Sequence, residues 1–123
     1  MQRKRRGTAL VQTAFVLPVI VIMLLGIVEY GRYYFINTVL YNAAREGARF
    51  GAIQPTNTTG ITAAARQFVA GLGGAAVNVA VATPQGTAHG DPITVSVSYT
   101  TGLLIPGYTK RLALVRSSTM LIE

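Results

Sequence analysis

The sequence predicts an α+β fold anchored in a membrane. It should comprise a long N-terminal helix, a short second helix and a small antiparallel sheet. Three observations carry this reading. An uncharged apolar run over residues 7–28 follows a cationic N-terminus. Apolar and small residues then recur at helical spacing as far as Phe50. From residue 75 onward, apolar and polar residues alternate along stretches bounded by turn residues, the pattern of half-buried strands. At 123 residues the chain is long enough for one domain.

Composition narrows the function class. Half of the residues are apolar and 12% are charged, against roughly 25% charged in an ordinary soluble domain. That balance argues against disorder and against a cytosolic enzyme. The absence of cysteine excludes disulfides, cysteine-ligated zinc and a cysteine nucleophile. A single histidine, His89, leaves no second imidazole for a histidine-rich metal site. The net charge of +7 suggests an anionic partner, but Arg3, Lys4, Arg5 and Arg6 supply four of the eleven cations. From Gly7 onward seven cations face four anions, leaving +3. The excess is a short tag and not a basic face, so no nucleic-acid partner is expected.

Residues 1–7 form a basic leader. The 22 residues from 7 to 28 carry no charge, and a bilayer core about 30 Å thick is spanned by about 20 such residues as a helix. The transmembrane segment is set at about 9–28. Gln12, Thr13 and Pro18 interrupt its apolar character; Pro18 frees the Ala14 carbonyl, which a membrane helix tolerates where neighbours satisfy it. Arg3, Lys4, Arg5 and Arg6 fix the N-terminus on the cytoplasmic side. Beyond the span, Tyr30, Tyr33 and Tyr34 suit an aromatic belt, and Glu29 and Arg32 serve as interfacial anchors that snorkel to water. The remainder is then exported. A cleaved secretory signal is the plain alternative, but its apolar region runs 7–15 residues and ends in a small-x-small site, and the EYGRYYFIN that follows has none.

The helix is expected to continue over 8–52. Ile36, Leu40, Ala43, Gly47 and Phe50 make one face, and Asn42, Arg45, Glu46 and Arg49 another. Ala43, Gly47 and Gly51 are spaced by four, as are Ala44 and Ala48, which lets backbones approach closely. Such a stripe packs either subunit against subunit or the head against its own helix. Residues 53–60 read as a turn-rich linker. Residues 61–123 form the exported head. Its short helix carries Ile61, Ala64, Ala65, Phe68 and Leu72 on one stripe and ends in left-handed geometry at Gly71, Gly73 or Gly74. Strands follow over 75–83, 92–100 and 112–122, the last with its alternation broken around Arg116. Adjacent strands with short connections predict an antiparallel meander. Three short strands hold too little core alone, so the sheet should bury its apolar face on the outer part of the long helix.

His89 and Asp91 share the loop HGDP. Catalysis would require a group to orient the base and a nucleophile within reach. Serines 96, 98, 117 and 118 sit in no nucleophile elbow, so HGDP reads as turn chemistry. No phosphate loop, dinucleotide fingerprint or metal spacing occurs. No catalytic function, cofactor or metal is expected.

The opening RRGTALVQTAFVLP and the later NAAREGAR, within residues 5–49, resemble the TadE-like family, pseudopilins of the tight-adherence (Flp) branch of type IV pili. The resemblance covers about a third of the chain and no motif of the head. It implies a pilin-like layout in the bacterial inner membrane. It also implies a prepilin peptidase that cuts between Gly7 and Thr8, and partners among other pilins or pseudopilins and the pilus assembly platform. Most members carry glutamate at the fifth residue after the glycine, thought to pair with a neighbour's new amino terminus. Gln12 stands there instead. Glutamine keeps hydrogen bonding between helices in lipid, worth roughly 0.6–2 kcal/mol, and loses the charge. An accessory pseudopilin and an unprocessed single-span scaffold of an envelope complex both fit that change.

Overall fold

The computed structural model describes residues 3–72, 77–83, 86–103 and 111–123, with side chains from Gly7 onward. Two compact units divide the chain, Met1–Tyr33 and Tyr34–Glu123. Element order is α1 (Arg3–Ile53), α2 (Thr58–Val69), a 3-10 turn (Ala70–Leu72), β1 (Val77–Ala82), β2 (Pro92–Gly102) and β3 (Arg111–Leu121). The architecture is α+β, and the sheet is an antiparallel meander in the order β1-β2-β3.

Helix α1 is longer than the 8–52 expected. It already includes residues 3–7 of the leader, where neither proline nor a turn residue other than Gly7 opposes helix. It ends at Ile53, before Pro55. The connection to α2 is also shorter than 53–60, because α2 starts at Thr58. The Asn57 side chain accepts the Gly60 N–H at 2.9 Å, satisfying a donor that the first turn leaves free.

The second unit has one apolar core. Ile36, Leu40, Ala43, Ala44 and Ala48 of α1 meet Ile61, Ala65 and Val69 of α2 and Ile93, Val95 and Val97 of β2. Fully burying each of the large aliphatic side chains stabilises by roughly 1.5–3 kcal/mol. On α2 the buried seam runs Ile61, Ala65, Val69 at intervals of four. Phe68, expected on that seam, lies one position off it and is 49% exposed. Ala64 is half-buried and Leu72 packs at the margin of the core. The helix does not end in left-handed geometry at Gly71, which sits in the 3-10 turn; positive φ among the described residues is confined to Gly86 and Gly90. Gly73 and Gly74 lie outside the described residues. The Tyr99 hydroxyl donates to the Leu72 carbonyl at 3.1 Å, tying this turn to β2.

Strand register follows burial. In β2, Ile93, Val95 and Val97 are buried while Thr94, Ser96 and Ser98 alternate with them on the wetter face. In β1, Val77 is buried, with Val79 and Val81 beside it in the partly buried shell. In β3 the alternation expected to break at Arg116 is unbroken. The pairing with β2 runs continuously from Pro92–Leu121 to Gly102–Arg111. Leu114, Arg116, Ser118 and Met120 share one face, with Arg116 opposite the buried Val97. A charged side chain fits there because β3 is an edge strand and a long side chain reaches water around it.

Candidate functional site

The first unit holds the feature that asks for a function. Every residue from 7 to 28 is exposed. Leu10 is 72% exposed and Phe15 76%, and Leu17, Ile22, Met23, Leu24 and Ile27 are also bare. A soluble monomer rarely exposes a contiguous apolar patch above a few hundred Å². Among the described residues, one helix is long and apolar enough to cross a membrane, and it contains this run. Its apolar side chains are distributed all round, as lipid contact requires and as a one-sided amphipathic helix does not.

The polar residues of the run are placed compatibly with lipid. The Thr13 hydroxyl donates to the Ala9 carbonyl one turn back, at 2.9 Å, so its polarity is satisfied within the helix. Gln12 is exposed and borders a shallow groove with Thr13, Val16 and Leu17. Pro18 lies inside α1 without ending it. Gly7 and Thr8 are helical and exposed. Arg3, Lys4, Arg5 and Arg6 belong to α1, but their side chains lie outside the described ones.

The outer end of the run carries Glu29, Tyr30, Arg32 and Tyr33. Arg32 Nη2 donates to Glu29 Oε1 at a long 3.5 Å, while Glu29 Oε2 is shielded and has no hydrogen-bond partner. Tyr30 is exposed and Tyr33 moderately so.

The small-residue stripe lies in the second unit. A Cβ on Gly47 would stand 3.0 Å from Val95 Cγ1 and 3.2 Å from the Ala65 Cβ. On Gly51 it would stand 2.6 Å from Ile93 Cδ1. Ala43 and Ala44 are fully buried. These positions let β2 and α2 approach the α1 backbone within one chain. Of the two packings open to the stripe, it makes the intramolecular one.

Beside it, Glu46 and Arg49 form an ion pair, 2.6 Å from Nη2 to Oε1. The Arg49 hydrogen bond holds the Glu46 carboxyl below its ordinary range, and the same bond raises the guanidinium. Arg49 is exposed and Glu46 half-buried at the surface, so this is a solvated helix face. At the far end of the head a shallow cavity of about 650 Å³ is lined by Arg49, Ile53, His89, Met120 and Glu123, among others. Asp91 Oδ2 accepts the Ala88 N–H at 3.0 Å, which is turn chemistry, and His89 is exposed. Among the described residues no three His, Cys, Asp or Glu side chains gather to hold a metal.

Sequence reasoning passed over the clasp at the chain's last residues. The Ile122 N–H donates to the Asp91 carbonyl and the Gly90 N–H to the Ile122 carbonyl, while the Glu123 N–H meets the Ala52 carbonyl at 3.0 Å. Backbone bonds of this kind leave no residue-type signature. Neither the curated proteins nor the solved structures contain a match to the chain. Residues 7–49, about a third of the chain, match the family described as TadE-like protein.

Proposed function

We propose that the protein is a non-enzymatic, pseudopilin-like component of a tight-adherence (Flp) pilus system. In this reading residues 7–28 hold it in the bacterial inner membrane, with the N-terminus in and the α+β head outside. The observation that carries it is the uncharged run 7–28, exposed at every position, which lies inside the segment matched by the TadE-like family. Its mechanism is mechanical. The helix anchors the chain in lipid and joins other pilins or pseudopilins, and the head offers contact surface to them or to the assembly platform. A prepilin peptidase would cut between Gly7 and Thr8, where glycine leaves a protease cleft unobstructed.

Gln12 favours a second reading, an unprocessed single-span scaffold of an envelope complex. A neutral side chain has no charge to offer a neighbour's freed amine. The intact mass of protein extracted from its native membrane separates the two. A chain that starts at Thr8 supports the pseudopilin, and a chain retaining Arg3–Arg6 supports the scaffold. Recovery in the soluble fraction without detergent would remove both.

A further inference from the structure

Strand β3 is eleven residues long and pairs with β2 along one side. Both backbone groups of Ile122 point to the β2 side, where they meet Asp91 and Gly90. Backbone groups alternate in direction along a strand, and the register with β2 has no bulge. The N–H and C=O groups of Ala113, Val115, Ser117 and Thr119 therefore face away from β2, along an edge that no described strand pairs with. All four residues are exposed. Among the described residues three of the usual protections are absent: the edge is not short, it holds no proline, and no bulge twists it away.

One contact interrupts it. Arg116 emerges on the face of the sheet that carries the core, opposite Val97. It turns back, and its Nη1 donates to the Val115 carbonyl at 2.8 Å. That carbonyl lies in the middle of the free edge and is one that an added strand would need.

We propose that Arg116 is a lock on the β3 edge: by occupying the Val115 carbonyl and placing a cation mid-strand, it keeps the edge from pairing with β3 of a second copy of this chain. The excluded partner is a second copy because its β3 presents the same length of unpaired backbone, and identical heads meet wherever the chain is concentrated. Arg116 opposes the pairing in two ways. Its hydrogen bond must break before a strand can add, and bringing two β3 strands together crowds two guanidinium groups into one short stretch. This inference concerns the head alone and stands whether or not the chain serves a pilus.

The test uses the full chain in detergent micelles, with association followed by sedimentation. The wild type should be a monomer at micromolar concentration. Arg116→Thr should associate about ten-fold more tightly, from release of the carbonyl and removal of the charge. Arg116→Lys should stay close to the wild type. Val115→Pro, added to Arg116→Thr, should return the monomer. The Val115 N–H faces the free edge, so proline there removes no bond to β2. Should that double variant unfold, Ser117→Pro serves the same purpose. In associated Arg116→Thr, amide exchange at Val115 and Ser117 should slow while exchange in β1 stays unchanged. An Arg116→Thr protein that remains monomeric overturns the proposal, as does association that survives proline on the β3 edge.

Discussion

Residues 7–28 and residues 36–52 belong to one helix, but the first stretch carries no charge and the second carries Arg45, Glu46 and Arg49, and their apolar side chains differ in size as well. The first stretch is built from Val, Leu, Ile, Met and Phe, and all of it is bare. The second puts Ala43, Ala44, Gly47, Ala48 and Gly51 on its inner face, and all five are buried. Charge and hydropathy already separate the two stretches as wholes, and bulk separates their apolar faces. A helix in lipid gains from large apolar side chains on every side, whereas one that seats a sheet and a second helix needs small residues so that backbones come close.

Truncating a large side chain should therefore destabilise the head in one stretch and leave it unchanged in the other. Leu40 is fully buried, and Leu40→Ala should cost the head about 2–5 kcal/mol, read as a lower melting temperature in micelles. Leu24→Ala, in the exposed run, should leave that melt unchanged. Charge should give the reverse pattern. Leu24→Arg should cost roughly 2.5–3.5 kcal/mol of membrane insertion, measured by alkaline extraction, while the head of any inserted protein melts as before.

Bulk added to the stripe sharpens the contrast further. Gly47→Leu should destabilise the head by about 1–3 kcal/mol through overpacking against Val95 and Ala65. Gly26 has nothing within reach of an added Cβ, so Gly26→Leu should leave the head untouched. A smaller effect belongs to the α2 cap: Asn57→Ala should cost about 1 kcal/mol, seen as faster amide exchange in the first turn of α2.

The smallest effect concerns Glu46. Its carboxyl is lowered by Arg49, so the stabilisation exists above the unfolded glutamate value, about 4.3, and is lost as pH falls through the lower folded value. Arg49 is exposed and Glu46 is reached by solvent, so the pair is screened. Glu46→Gln should shift the melt at pH 7 by no more than its error, and salt should erase what difference remains.

Much of this was legible in the sequence because its signals are periodic. The uncharged run, the helical stripe through Ile36 and Leu40, and the alternation in β2 each repeat often enough to name an element and its inner face. The failures fall where one residue decides. Phe68 falls at helical spacing from Ile61, Ala64 and Ala65, yet the four-residue step from Ile61 through Ala65 leads to Val69. Arg116 read as a break in β3 because a charge on the inner face looks wrong until the strand is known to be an edge. The start of α2 at Thr58 depends on one side-chain bond from Asn57, and the clasp of Ile122 and Glu123 is made by backbone alone. For the stripe, spacing permits two packings, and only the positions of Val95 and Ala65 tell them apart.

The central claim is that α1 meets lipid over residues 7–28 and protein over residues 36–52. Single cysteines carrying a nitroxide label, introduced one at a time into the cysteine-free chain in bilayers, measure this directly. The account predicts that labels at positions 15, 20 and 24 are relaxed by oxygen and shielded from a water-soluble nickel complex, and that labels at 36 and 44 are immobile and shielded from both. Labels at 15, 20 and 24 that are open to nickel would contradict it.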